Sequence, residues 1–284
     1  MFMTIKLKNA VCTLLGIPLI FFMTFALADS VEKKDGINLP ILMYHSILKD
    51  NSGSPKYIVT PSRLEEDLKY LKQNGYETVT VQDLIDYTEN GKPLPEKPVM
   101  LTFDDGYYNN YYYAYPLMKK YNMKMVLSVV GKFTDTFSET DDSNPNYSHL
   151  TWTQIDEMQK SGFVEIQNHT YNLHSTSGRM GCKKLRDESL QEYENLLTDD
   201  LTKLQEKLKQ QTGKSPTAFT YPFGGVSNAS YDIIKKLGFK ASLSCSEGIN
   251  TITKDGECLY MLKRFIRTSD LSSEEYFKKI LSSN

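Results

Sequence analysis

The chain holds four histidines, and two of them, His169 and His174, stand five positions apart behind one apolar run. Imidazole nitrogens and carboxylate oxygens are the usual ligands of a hydrolytic metal site, where three protein ligands leave one position open. On a helix a five-residue step turns the chain by about 140°, so the two rings would diverge. They converge on one ion only if the strand end bends into a turn, which Thr170 to Leu173, with Asn172, permit. The second candidate is Asp104-Asp105-Gly106, directly behind Val99–Phe103. Two adjacent carboxylates are costly to bury unpaired. At a strand end neighbouring side chains diverge, so one acid can face an ion and the other an attacking water. Gly106 allows close backbone approach or a positive φ. The acids are adjacent rather than one residue apart, which disfavours an Asp-x-Asp phosphatase. Taken separately, a loop histidine pair and an Asp-Asp-Gly turn are also ordinary features of proteins without a metal.

These residues need elements to hold them. Short apolar runs alternate with amphipathic stretches from about residue 39 to the end. Strands are expected at 41–44, 77–79, 99–103, 125–130, 163–167, 217–221, 240–244 and 261–266. Helices are expected at 61–74, 81–88, 111–120, 153–161, 185–211, 230–237 and 273–281, several closed by glycine. Strands alternating with helices predict a parallel α/β architecture, and its barrel form places functional residues at strand C-terminal ends. His45, Asp104-Asp105, His169 and Pro222-Phe223-Gly224 each follow such a run.

Together, Thr102-Phe103-Asp104-Asp105-Gly106 and His169-Thr170 with His174 resemble the polysaccharide deacetylases, the NodB-homology group of carbohydrate esterase family four. The likeness runs from about Pro40 to Arg267 and includes Leu42-Met43-Tyr44-His45, Phe219-Thr220-Tyr221-Pro222-Phe223-Gly224 and Leu262-Lys263-Arg264. The five-residue histidine spacing resembles the branch that acts on poly-N-acetylglucosamine, with peptidoglycan and chitin oligomers as the alternative N-acetylated substrates. The resemblance implies a single-domain α/β fold, an irregular (β/α)7-type barrel. It implies a divalent ion, zinc first, on Asp105, His169 and His174, with Asp104 as general base. It implies a substrate groove lined by Pro222 and Phe223, with Tyr107 and Tyr221 as further candidate substrate contacts; a tetrahedral oxyanion would also need a donor, for which the backbone N–H near Tyr107 is the candidate. The chain departs from the family in having no histidine after His174 and Thr220 near the place of the usual base-orienting arginine. His45 is therefore a candidate proton donor, alongside return of the proton by Asp104 itself. Arg264, grouped with the substrate contacts, is a candidate for the missing cation beside Asp104.

Net charge is −2, which leaves no electrostatic footprint for nucleic acid. Lys6 and Lys8, the apolar run 10–27 and Ala26-Leu27-Ala28 predict a signal peptide over 1–28, cleaved or retained as an anchor. A linker over 29–38 and one domain over 39–284 follow. The expected partner is an N-acetylated polysaccharide, the chain a secreted or cell-surface monomer, and membrane contact requires an uncleaved leader. Cys182, Cys245 and Cys258 leave an odd count, with a Cys245–Cys258 bridge or three buried thiols as alternatives. Trp152 is expected to contact its helix rather than a sugar, and most of the seven tyrosines between 107 and 121 to pack. An O-acetyl esterase and a non-catalytic glycan binder are the competing functions.

Overall fold

The computed structural model describes residues 36–50, 54 and 56–281. The strands are β1 (Ile37–Leu39), β2 (Ile41–Tyr44), β3 (Ser46–Ile47), β4 (Ile58–Val59), β5 (Glu77–Thr78), β6 (Pro98–Phe103), β7 (Met125–Val129), β8 (Val164–Asn168), β9 (Ala218–Thr220), β10 (Ala241–Leu243), β11 (Asn250–Ile252) and β12 (Phe265–Ile266). The α-helices are α1 (Pro61–Gln73), α2 (Val81–Asn90), α3 (Tyr115–Tyr121), α4 (Gly131–Thr140), α5 (Trp152–Lys160), α6 (Leu190–Thr212), α7 (Asn228–Lys236) and α8 (Ser273–Leu281).

Seven strands pair in parallel in the order β10-β9-β8-β7-β6-β2-β12. One parallel bridge, Leu243 to Leu262, joins the segment before β12 back to β10. The sheet thus curls into the irregular (β/α)7 barrel that the family resemblance implies, with a weak seam at that bridge. Three further pairings lie outside this ring: β5 beside the start of β6, β1 with β11, and β3 with β4.

Strand β6 is buried at all six positions, as a strand covered on both faces must be. Ile41, Met100, Val126, Ala218, Ala241 and Leu243 come from five strands yet form one cluster, so they fill the barrel interior. Leu42, Leu101, Phe103, Leu127, Val129 and Ile166 point the other way, into the packing with the helices. Higher in the barrel the interior turns polar. Thr102, Ser128, Thr220 and Arg264 are fully buried, and the hydroxyls of Ser128 and Thr220 bond at 2.7 Å. This polar layer is the floor of the site.

Local chemistry sets the helix starts. Thr80 with Asp83, Thr151 with Gln154 and Ser189 with Glu192 are capping boxes, each cap worth about 1 kcal/mol. The long helix begins at Leu190 rather than at the expected Leu185 because Ser189 caps it there. Helix α4 was not expected: it opens on a glycine and carries three threonines in ten residues, weak helix formers, and Val130 offers no side-chain cap. Tertiary contacts set it instead, since Gly131 and Lys132 donate their N–H groups to the carbonyls of Thr170 and Tyr171.

The expected leader, 1–28, lies outside the described residues, as does 29–35 of the expected linker. Ile37 and Asn38 are not linker but part of β1, held by pairing with Ile252 and Thr251. Cys182, Cys245 and Cys258 are all free thiols; neither the bridge nor three buried thiols is found, because Cys245 is exposed. Among the described residues no helix is long and apolar enough to cross a membrane.

Candidate active site and metal centre

The chain leaves β6 through Asp104, whose N–H bonds to Tyr44 O at 3.0 Å. It then turns through two left-handed residues, Asp105 at φ 71° and Gly106 at φ 68°. A non-glycine residue in that region stores strain, which native structures tolerate where surroundings fix it. A Cβ on Gly106 would sit 3.1 Å from Val129 Cγ1, so glycine answers both the turn and the close approach.

The chain leaves β8 through His169 and turns at Thr170, φ 73°. Asn168 Oδ1 accepts the Thr170 N–H at 2.8 Å. Asp200, from α6, accepts the N–H groups of Tyr171 and Asn172 at 2.7 and 2.8 Å. The bend that the histidine spacing requires therefore lies within Thr170 to Leu173, with Thr170 in the left-handed region and the chain bending on through Tyr171 and Asn172.

As a result His174 returns to face His169. His169 Nε2 lies 3.4 Å and His174 Nε2 3.0 Å from Asp105 Oδ1. One ligand atom from each of the three falls within 4.8 Å of the others. Ligands about 2.1 Å from a tetrahedral ion sit about 3.4 Å apart, so this donor set fits a divalent cation. His169 Nδ1 meets Thr220 O at 2.8 Å. A carbonyl can only accept, so Nδ1 carries the proton and Nε2 turns its lone pair to the centre. Without an ion, burial pushes the Asp105 carboxyl up, but hydrogen bonds from the His169 and His174 rings, when those carry the proton, outweigh it and hold the group well below its ordinary value.

Asp104 points to the other side of the turn. Arg264 grips it with Nη1 on Oδ1 at 2.8 Å and Nη2 on Oδ2 at 2.9 Å. Burial raises the Asp104 carboxyl; the guanidinium charge wins and holds it below the usual range. Arg264 reaches Asp104 from the segment before β12, while Thr220 spends its hydroxyl on Ser128. The cation thus comes from a different strand segment, two places round the closed barrel from Thr220's β9.

A cavity of about 800 Å³ opens over these groups, lined by His45, Asp104, Asp105, Tyr107, His169, His174 and Phe223 among others. Burial lowers the His45 pKa, outweighing the attraction of Asp104 and Asp105. Its Nδ1 is buried and meets no partner among the described residues. Burial and a hydrogen bond with Asp105 raise the Tyr107 phenol. The fourth histidine, His149, packs on Tyr107, Phe133 and Phe137, and burial pushes it down to about 4.

Three expected substrate contacts do not reach the cavity. Thr220 faces the barrel interior, so Tyr221 must face outward; it is 1% exposed and bonds Ser230. Pro222 is buried against Gly181, although the turn it starts swings Phe223, at φ 56°, onto the mouth. Arg264 is 0% exposed and lies beneath Asp104, not in front of it. Trp152 donates Nε1–H to Asp135 at 2.9 Å and does not line the cavity. Of the seven tyrosines only Tyr107 does. Sequence reasoning did not assign Tyr57, Asn146, Cys245 or Glu247 to the site; rim loops bring them to the cavity.

Residues 91–242 match the polysaccharide deacetylase family. The chain is 26% identical over 261 residues to the poly-beta-1,6-N-acetyl-D-glucosamine N-deacetylase of Escherichia coli K12, covering 85% of this chain and only 38% of that one. It is 32% identical over 219 residues to Bacillus subtilis YxkH, whose name places it among the polysaccharide deacetylases, covering 77% and 68% of the two chains. Among solved structures it matches a de-N-acetylase from Aggregatibacter actinomycetemcomitans with TM-score 0.71 and 30% identity, over 85% of this chain and 100% of that one.

Proposed function

The chain belongs to the polysaccharide deacetylase family, and from that premise we propose that it is a metal-dependent hydrolase that removes N-acetyl groups from poly-N-acetylglucosamine outside the cytoplasm. The observation that carries this reading is the arrangement of Asp104 beside the Asp105, His169 and His174 triad at one cavity floor. The substrate follows the E. coli relative's name, and the location follows the expected leader. Zinc suits the two-imidazole, one-carboxylate donor set.

A divalent ion on the triad would supply a Lewis acid for the acetyl carbonyl and lower the pKa of a water. The chain's own residues move the protons. Asp104 takes a proton from the attacking water; Arg264 keeps the carboxylate ionised and aimed. Each Asp104 oxygen receives one guanidinium N–H and keeps a lone pair for the water. The backbone N–H of Tyr107 donates to the developing oxyanion. Burial keeps His45 neutral, so it does not start the cycle as an acid. His45 lines the same cavity as Asp104; it receives the proton that Asp104 has collected and passes it to the nitrogen as the C–N bond breaks. Acetate and a free amine result. If His45→Ala keeps full activity with metal bound, the relay is wrong.

The test is acetate release from β-1,6- and β-1,4-linked N-acetylglucosamine oligomers and from acetylated xylan, with and without chelator. Release from the N-acetylated oligomers, lost on chelation and restored by Zn²⁺, is expected. Release from xylan alone would replace this reading with an O-acetyl esterase. No acetate from the metal-loaded protein would leave a glycan binder. Intact-mass measurement of exported protein checks leader cleavage.

A further inference from the structure

Large aromatic side chains are seldom left open at a cavity without a use. Two are open here: Phe223, 44% exposed, and Tyr57, 43% exposed, and both line the cavity. Phe223 packs on His174 with ring centres 4.5 Å apart. Tyr57 meets His45 edge-on, centres 5.1 Å apart at 73°. The two rings therefore lean on different histidines. The cavity, about 800 Å³, lies in the upper part of the range that holds drug-sized ligands, more than one sugar ring fills.

We propose that Tyr57 is the platform of a second sugar subsite, which holds a hexosamine next to the unit being deacetylated, so that the protein reads an internal unit of a chain. This rests on the deacetylase reading. A platform must be fixed relative to the reacting groups, and the structure shows how. Tyr57 O accepts the Ser46 N–H at 3.1 Å, and β3 pairs with β4 immediately after Tyr57. One amide, Asn109, 1% exposed, then fastens β3 to the run that carries Asp104 and Asp105. Its Oδ1 accepts the Ile47 N–H at 2.9 Å, and its Nδ2 donates to Ser46 Oγ at 2.8 Å and to Pro145 O at 3.0 Å. Lys56 Nζ lies 5.2 Å from the Tyr57 ring centre and steadies the ring. The ring is thus preorganised, which reduces the entropy lost when a sugar binds it.

The experiment compares kcat/KM on N-acetylglucosamine oligomers of one to four units for the wild type, Tyr57→Ala and Tyr57→Phe. For Tyr57→Ala the ratio of the tetrasaccharide value to the monosaccharide value should fall about five- to tenfold. Tyr57→Phe should keep the ratio, since the ring and not the hydroxyl makes the platform. An unchanged ratio in Tyr57→Ala, or an equal loss at every length, overturns the subsite. Should the wild type release no acetate from any oligomer, the deacetylase reading fails separately. Calorimetric titration with the tetrasaccharide then decides the subsite: weakening of Kd by the same factor in Tyr57→Ala supports it, and equal Kd overturns it.

Discussion

Arg264 and Arg267 stand three positions apart, both are buried, and each grips a carboxylate with two nitrogens. Arg267 holds Asp67 side-on, with Nε on Oδ2 at 2.8 Å and Nη2 on Oδ1 at 2.9 Å, at the same distances as the end-on fork of Arg264 on Asp104. The surroundings differ. Asp67 also receives the Tyr44 hydroxyl at 2.9 Å, Arg267 lies over the Tyr276 ring at 4.5 Å, and Asp67 is 0% exposed. Among the described residues the carboxylate of Asp104 takes the two bonds of the fork and no other, and it lines the cavity. The same ion pair is a structural tie where it is closed and a poised base where one side stays open. Neither pair is strong evidence of stability, because desolvation offsets much of the attraction; what matters is which lone pairs remain free.

The largest expected effect separates the two carboxylates. Asp104→Asn should lower kcat by about 10²–10⁴-fold while metal content, measured on the purified protein, stays intact. Asp67→Asn should instead destabilise the fold by about 3–5 kcal/mol, since it strands a buried guanidinium, and denaturant titration would read this. Its kcat per folded molecule should hold; a kcat loss matching that of Asp104→Asn would break the comparison.

Arg264→Lys should act on pH dependence. The Asp104 carboxyl is held below its ordinary value, so the pairing stabilises the fold above the unfolded carboxylate pKa and is lost as pH falls through the depressed one. Lysine keeps the charge but not the fork. The carboxyl should rise, and the acidic limb of the kcat/KM profile should move to higher pH. A profile that stays in place would mean Arg264 does not tune the base. The smallest effect is expected for Trp152→Phe. It removes the hydrogen bond to Asp135, about 1 kcal/mol, and should leave KM for oligomers unchanged; a raised KM would return Trp152 to the sugar groove.

Much of this site was readable before any coordinates. Asp104-Asp105 and His169 each follow an apolar run, which places them at one end of a parallel barrel, and the family resemblance groups them into one site. Arg264 was harder. As a cation beside Asp104 it lies where that suggestion put it. As a substrate contact it does not, because its segment places it under the floor. Tyr221 was misplaced for a period-two reason: one residue beyond an inward-facing threonine is always outward. Tyr57 and Asn109 carried no signal, since their partners lie on separate rim segments.

The sequence alone determined the periodicities that make strands and helices, the order of strand ends, and the types of ligand atom available. Those depend on neighbours within a few residues, where side-chain pattern and capping act directly. Tertiary structure decided which carboxylate stays open, which backbone position makes the turn between the histidines, and which loop residues close the rim. Such choices depend on groups brought together by folding, such as Asp200 on the Tyr171 and Asn172 amides or Arg264 beneath Asp104, and local pattern carries no record of them.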